Sequence, residues 1–426
     1  MFSMKCKMNL TVLLLTATLI FIAGGCKEDD ISGCTDPLAS NYDPDAVTDD
    51  GTCVYSGAVQ LCGNITTDQT LVNSSEAVDY LVTCDIDISA DVVVEPGTVI
   101  NFKSNTGFHL TSGGSLKAAG TSALPITFKG TADVAGYWKG LFFETNNPMN
   151  ELTYCVISGG GSGSFDGNTA MKANIRVDNG AQLKISNTNV SKSAKYGLYS
   201  DGTSFGSENP ITLFQENTFS DNQDYPVSVI APVLNAMDGA ESIYTGNSKN
   251  KIEVRGGKLM GSHIWKYLAI PYLITSTVNI GYNTDLGNLT VERGTTIEFG
   301  SDVGLTIGDY ADGYLKMIGT SALPITLTGE TQVPGAWKGV CFQSTNGSNE
   351  MDYVNISYAG SSSFTGDTDE KGNIIIGAYS DGTLNIQNCT ISNSANCGIY
   401  ISTPGSTLNT GSNVTYASNV SNDVCQ

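Results

Sequence analysis

Charge is scarce in this chain and strongly one-sided. Only 15 % of its 426 residues are charged, and acidic residues outnumber basic ones 42 to 21, for a formal net charge of −21. A surface of that sign repels nucleic acid and anionic bilayers, so neither is an expected partner. Histidine is limited to His109 and His263, far apart in sequence, which excludes a histidine-rich metal centre. Arginine is limited to Arg176, Arg255 and Arg293. Lys/Glu/Ala-rich stretches at helical spacing are missing, so neither an α-rich fold nor a βαβ layout is expected. Beyond the first two dozen residues no run is apolar enough to cross a bilayer.

What the chain does contain is glycine, 48 residues of it, with abundant Asn, Ser and Thr and many short β-branched or aromatic runs. Runs such as DVVV, TVINF, FHLTS, ITFKG, GLFFE and QLKIS follow one another closely, separated by single glycines or turn pairs such as Asp166-Gly167. Strands this short and this regular either zigzag as a sandwich or coil as a solenoid. About three strands in each turn of some 20–25 residues, stacking like on like, favour the coil.

Internal repetition strengthens that choice. TSALPIT stands at 121–127 and again at 320–326, and the Trp-Lys-Gly at 138–140 returns at 337–339. Tyr154, Ile157 and Ser158 pair with Tyr353, Ile356 and Ser357, and Ser164-Phe165 with Ser363-Phe364. Val94-Glu95-Pro96-Gly97 pairs with Val291-Glu292-Arg293-Gly294, while Leu183, Val190, Gly197 and Tyr199 pair with Leu384, Ile391, Gly398 and Tyr400. The expected fold is an all-β, internally duplicated, right-handed parallel β-helix. Its turns should number about 15–17 and make a rod near 75 Å at a strand spacing of about 4.8 Å. Asn187, Asn189 and Asn388 are candidates for stacking at its corners.

The N-terminus carries an address. Lys5 and Lys7 precede an apolar run at 10–23, which ends in Ala23-Gly24-Gly25-Cys26. This resembles a bacterial lipobox, which implies acylation of Cys26; ordinary secretory cleavage nearby is the other reading. Lys27, Glu28, Asp29 and Asp30 follow at once and resemble the surface-export signal of Bacteroidetes lipoproteins. That resemblance implies an outer-membrane anchor facing outwards, against a plain acidic linker on a periplasm-facing anchor. The expected segments are a signal peptide at 1–25, a tether at 26–32, a small module at 33–56, an N-terminal cap at 57–84, a first β-helical copy with joining turns at 85–270 and a second copy at 271–426.

The module at 33–56 resembles the GCTDxxAxNYDPxAxxDDGxC element of marine Bacteroidetes surface proteins. Cys34 and Cys53 bracket it and are the natural disulfide in an oxidising compartment, since so small a segment has almost no core. Asp43, Asp45, Asp49 and Asp50 crowd carboxylates before Gly51. They read either as Ca²⁺ ligands or as a series of Asx turns. No other cofactor is expected. Cys62 and Cys84 are placed to tie the cap and Cys155 and Cys341 to be buried thiols, while of Cys389, Cys397 and Cys425, clustered near the end, one pair such as Cys397 with Cys425 could staple the last turns.

The body is similar to the Bacteroidetes family of parallel β-helix surface proteins. The marks are EPGTVINF at 95–102, GTSALPITF at 120–128, GYWKGLFF at 136–143 and LTYCVISGGG at 152–161, each echoed in the second copy. The resemblance implies fold far more than activity. Trp138 and Trp337 occupy equivalent positions, where they either stack on a glycan ring or pack over a turn.

Two functions follow from this reading. The first is a non-catalytic, monomeric surface rod that binds an extracellular glycan, an envelope protein or a partner cell. The second is a polysaccharide-active enzyme resembling pectate lyases or polygalacturonases, which would gather three or more carboxylates beside an Arg or Lys in one groove. The scattered arginines, and the placing of Asp166, Asp178 and Asp201 at turns, favour the rod.

Overall fold

The computed structural model describes residues 31–178, 180–201, 209–309 and 311–426. The short runs form strands of two to six residues that stack in register on their equivalents one turn away, and every ladder between named strands is parallel. The chain is a parallel β-helix. Its longest sheet, here the spine, holds 13 strands from Ile86–Ile88 to Thr415–Ala417 and runs through both copies. Two further walls enclose the first copy: wall A with eight strands from Val59–Leu61 to Ile243–Thr245, and wall B with six from Gln69–Leu71 to Ile211–Gln215. Wall C, seven strands from Gly257–Leu259 to Val424–Cys425, and wall D, six from Gly261–Trp265 to Thr407–Thr410, enclose the second.

Alternate residues of each strand point inwards, because side chains on a strand have a period of two. They fuse into one continuous apolar core from Ile65 to Ile399 that includes Phe102, Phe128, Phe143, Phe219 and Phe299, all at most 1 % exposed. Burying such a ring stabilises by roughly 1.5–3 kcal/mol, so the axis supplies most of the cohesion. The turns are fewer than expected and the rod is nearer 60 Å. Turn length explains the shortfall. One turn of the spine runs only from Ile252 to Tyr272, whereas another runs from Ile356 to Ile391 around a long loop.

Corners are set by repeated left-handed residues. Tyr154 and Tyr353 have φ 48° and 50°, Asn105 and Asp302 have 59° and 57°, and Asn187 and Asn388 have 50° each. Asn187 and Asn388 therefore stand at corners as turn formers, and Asn189 is exposed on its strand. The buried amides are others. Asn222 Oδ1 accepts from the Ser193 backbone N–H at 3.0 Å, and Asn247 Oδ1 accepts from that of Asn222 at 3.1 Å. Asn150 and Asn349 do the same for Leu116 and Leu315 at 3.1 and 3.0 Å.

Residues 57–84 form the opening turns of the coil, not a separate cap. Their strands Val59–Leu61 and Tyr80–Val82 belong to wall A and Gln69–Leu71 to wall B, with Cys62 bonded to Cys84 beside them. A disulfide also joins Cys397 to Cys425 across the last turns. Cys155, Cys341 and Cys389 are buried and not disulfide-bonded. Burial pushes the Cys389 thiol up to about 11.

The second copy is turned by one wall relative to the first. Val99–Phe102 lies in wall A, but its equivalent Thr296–Phe299 lies in the spine. Gly107–Leu110 lies in the spine, but its equivalent Gly304–Asp309 lies in wall C. The short 3-10 segment Ala231–Ala236 makes the change. It packs against the last strand of wall B and against the first strands of walls C and D. Equivalent motifs of the two copies therefore look out in different directions.

Asn222→Ala removes the acceptor of a buried backbone N–H and should cost about 1–3 kcal/mol in urea unfolding. The exposed control Asn189→Ala should stay within about 0.5 kcal/mol.

Candidate functional site

The N-terminal module folds as expected for its size, around a Cys34–Cys53 disulfide with Cα atoms 4.8 Å apart. Its most buried carboxylate is Asp36, 4 % exposed, which sequence reasoning passed over. Asp36 accepts from the Leu38 backbone N–H at 3.0 Å and from Tyr55 Oη at 2.8 Å. It also accepts from two wall A side chains, Asn101 Nδ2 at 3.1 Å and Lys129 Nζ at 3.3 Å. Tyr137 Oη donates to Asp49 Oδ2 at 2.8 Å, and burial with that carboxylate alongside pushes the phenol up to about 12. The module is thus docked on the first copy. Equivalent positions of the second copy hold Glu298, Thr328 and Ala336, which cannot repeat these bonds.

The four module aspartates do not converge on a cation position. Asp43 Oδ1 caps the Asp45 N–H at 3.0 Å, and Asp45 itself is exposed. Asp50 Oδ1 takes both the N–H and the hydroxyl of Thr52, at 2.9 and 2.6 Å, which hold its carboxyl below the usual range. Asp49 serves the docking contact. Among the described residues the one group of three potential ligands is Cys34, Asp49 and Cys53, and its two cysteines are bonded to each other. Asp43 and Asp50 are engaged in Asx turns and Asp49 in docking.

Trp138 and Trp337 are fully buried. Trp138 stacks on Phe102 at 4.1 Å and donates Nε1–H to the Ser158 carbonyl at 2.7 Å; Trp337 stacks on Phe299 at 3.9 Å and donates to Ser357 at 2.8 Å. Both indoles pack inside the coil, and no sugar ring reaches them in this arrangement. That corrects the glycan-stacking alternative. Cys26 and the export residues Lys27, Glu28, Asp29 and Asp30 lie outside the described residues.

The densest polar chemistry lies on the outer face of the spine in the first copy. In register from turn to turn stand Asp87, His109, Phe142, Arg176, Tyr199, Ser228 and Glu253. His109 has Asp87 Oδ1 at 3.0 Å on Nδ1 and Glu144 Oε2 at 2.9 Å on Nε2, and its ring stacks on Phe142 at 4.8 Å. The Arg176 guanidinium lies 4.2 Å over the other end of this row, on Phe142, between Asp166 at 2.8 Å and Asp178 at 3.7 Å. Arg255 lies 3.9 Å over the Tyr199 ring, donates to Tyr199 Oη at 2.7 Å and Asp201 Oδ1 at 2.8 Å, and reaches Ser228 Oγ at 3.0 Å. Lys195 over Tyr196 at 4.6 Å and Lys249 over Tyr225 at 4.5 Å continue the alternation of ring and cation. Such contacts contribute about 0.5–1 kcal/mol each at exposed sites.

The duplication supplies an internal control. At the equivalent positions of wall C the second copy places Thr306, Cys341 and Ile375 where the first has His109, Phe142 and Arg176. The fold therefore does not require this ladder. Sequence reasoning took the arginines as scattered and Asp166, Asp178 and Asp201 as turn formers. The structure joins Asp166 and Asp178 to Arg176, and Asp201 to Arg255. The signal was present in the aligned copies, as a buried Arg where the other copy carries Ile.

No protein-family model matches this chain, and no significant match to it was found among curated proteins or solved structures.

Asp36→Ala leaves the Lys129 ammonium and the Asn101 amide without their carboxylate, at a cost on the order of 2 kcal/mol. The module should then become sensitive to limited proteolysis while the main melting transition of the coil stays in place.

Proposed function

We propose that this protein is a surface lipoprotein whose β-helix is a rigid, non-catalytic rod for binding an extracellular glycan or a protein of the envelope or a partner cell. Cys26 would carry the acyl chains and Lys27, Glu28, Asp29 and Asp30 the export signal, so that the module and rod stand outside the outer membrane. The observation that carries the binding role is the ladder of rings and charges on the first copy's outer face, which the second copy lacks. A face that costs polar burial and is dispensable for folding is kept for a partner. Its length suits many weak contacts acting together.

The enzymatic alternative ranks below it on the geometry of the same face. Acid–base or lyase chemistry would want several carboxylates around one cation in an open groove, whereas Arg176 draws Asp166 and Asp178 alone, with Arg176 itself 6 % exposed.

Intact cells treated with a protease should lose the rod, and Cys26→Ser should abolish metabolic acyl labelling. On a glycan array, residues 31–426 with and without EDTA should retain ligands without cleaving them. Release of shortened or unsaturated oligosaccharides from a polyuronate would contradict the non-catalytic role.

A further inference from the structure

Three successive connections run from wall D to the spine, at 266–271, 292–295 and 319–324, and the middle one is the shortest. A short turn between two longer ones leaves a notch in the corner of the coil. Tyr267, Glu292, Arg293 and Leu323 line it around about 570 Å³ of space, which is within the range of small-ligand pockets. Its walls are held from behind. Tyr267 N–H donates to Glu292 Oε2 at 3.0 Å, Gly294 N–H to the Leu323 carbonyl at 3.1 Å, and Leu323 N–H to Thr320 Oγ1 at 3.0 Å. The apolar groups facing the space are nevertheless open to solvent, Tyr267 being 40 % exposed and Leu323 47 %.

The first copy builds the same corner and fills it. Its Asn73 N–H donates to Glu95 Oε2 at 3.1 Å, as Tyr267 does to Glu292, and Thr121 Oγ1 holds the Leu124 N–H at 3.1 Å. The Asn73 amide then turns inwards and donates to the Pro96 carbonyl at 3.0 Å. It lies so close over Gly97 that a β-carbon on that glycine would be 2.6 Å from Asn73 Nδ2. In the second copy Tyr267 and Arg293 stand where the first has Asn73 and Pro96. The ring is set beside Gly294, whose β-carbon would lie 3.3 Å from it, and the notch stays open. The turn itself closes with either pair.

Charge narrows the occupant. Arg176 and Arg255 are ion-paired, whereas Arg293 makes no ion pair with any described residue of a chain whose net charge is −21. A guanidinium beside an aromatic ring and a leucine suits a planar anion joined to an apolar group. Glu292 adds a carboxylate to the same notch, which penalises repeated negative charge and favours a hydrogen-bond donor next to the anion. Acidic polysaccharides fail on the first count, and neutral glycans leave Arg293 unmatched. The free end of a peptide meets all three demands, since its carboxylate, its N–H and its side chain hang from one carbon. We propose that this notch binds the C-terminal residue of a protein partner when that residue is apolar. Its carboxylate takes the Arg293 fork, its N–H donates to Glu292, and its side chain lies between Tyr267 and Leu323. The proposal rests on the binding role given above and makes the partner a protein.

The test titrates the full-length chain in detergent, by fluorescence anisotropy, into an N-terminally labelled pentapeptide that ends in leucine with a free carboxylate. The peptide should bind. Its C-terminal amide, and the same peptide ending in glycine, should each bind at least about tenfold more weakly, through loss of the charge-assisted fork and of the buried side chain respectively. Arg293→Pro and Tyr267→Asn, which install the first copy's residues, should each lose binding by at least about tenfold with the melting temperature retained. Arg293→Lys keeps the charge but not the fork; it should also weaken binding, and it serves if proline disturbs the turn. Sulfate, substituted for chloride at matched ionic strength, should not displace the peptide. Equal binding of acid and amide, unchanged binding in the Arg293 variants, or displacement by sulfate alone would overturn the proposal. A glycan held by the chain while the peptide is not would overturn it too, yet leave the binding rod standing. If neither the peptide nor any arrayed glycan binds, both fall.

Discussion

Everything in this molecule depends on parallel strands hydrogen-bonding to their equivalents one turn away, round one apolar axis. That constraint spaces the turns at about 4.8 Å and lets like side chains stack on like. It also exempts the loops from any common length, because only the strands must keep register. A loop at a corner can lengthen, fold back over the outside of the sheet and carry new chemistry without disturbing the core. The stretches at 159–172 and 358–371 are such loops, and the outer ladder under the first of them is where the two copies differ most.

Duplication gives a reference state inside one chain. Where the copies agree, the residue serves the fold: Trp138 and Trp337 pack on equivalent phenylalanines, and Tyr154 and Tyr353 turn equivalent corners. Where they disagree, the difference can often be traced to a contact that only one copy makes. Wall A of the first copy carries Asn101, Lys129 and Tyr137 because the N-terminal module docks there through Asp36 and Asp49. The spine carries His109, Phe142 and Arg176 where wall C of the second copy carries Thr306, Cys341 and Ile375.

The fold was legible in the sequence because strand period, turn residues and repetition all pointed the same way. The turn of the second copy by one wall was not. It is made by Ala231–Ala236, a short 3-10 segment with no periodic signal of its own. The outer ladder was hidden for a related reason. Phe142, Arg176 and Tyr199 are neighbours only once loops of unequal length have been taken out of the chain between them. Within the module, carboxylates crowded in sequence each serve a different turn, as Asp43 and Asp50 do. The tryptophans were half legible: repetition marked them as important, but only the coordinates show Phe102 and Phe299 against their faces.

Small-angle X-ray scattering from the purified chain tests the continuous coil most directly. A spine of 13 strands shared by both copies requires a single rod of constant cross-section, with a coil roughly 60 Å long plus its docked module. A pair-distance distribution with two maxima, as from two bodies joined by a linker, would contradict it.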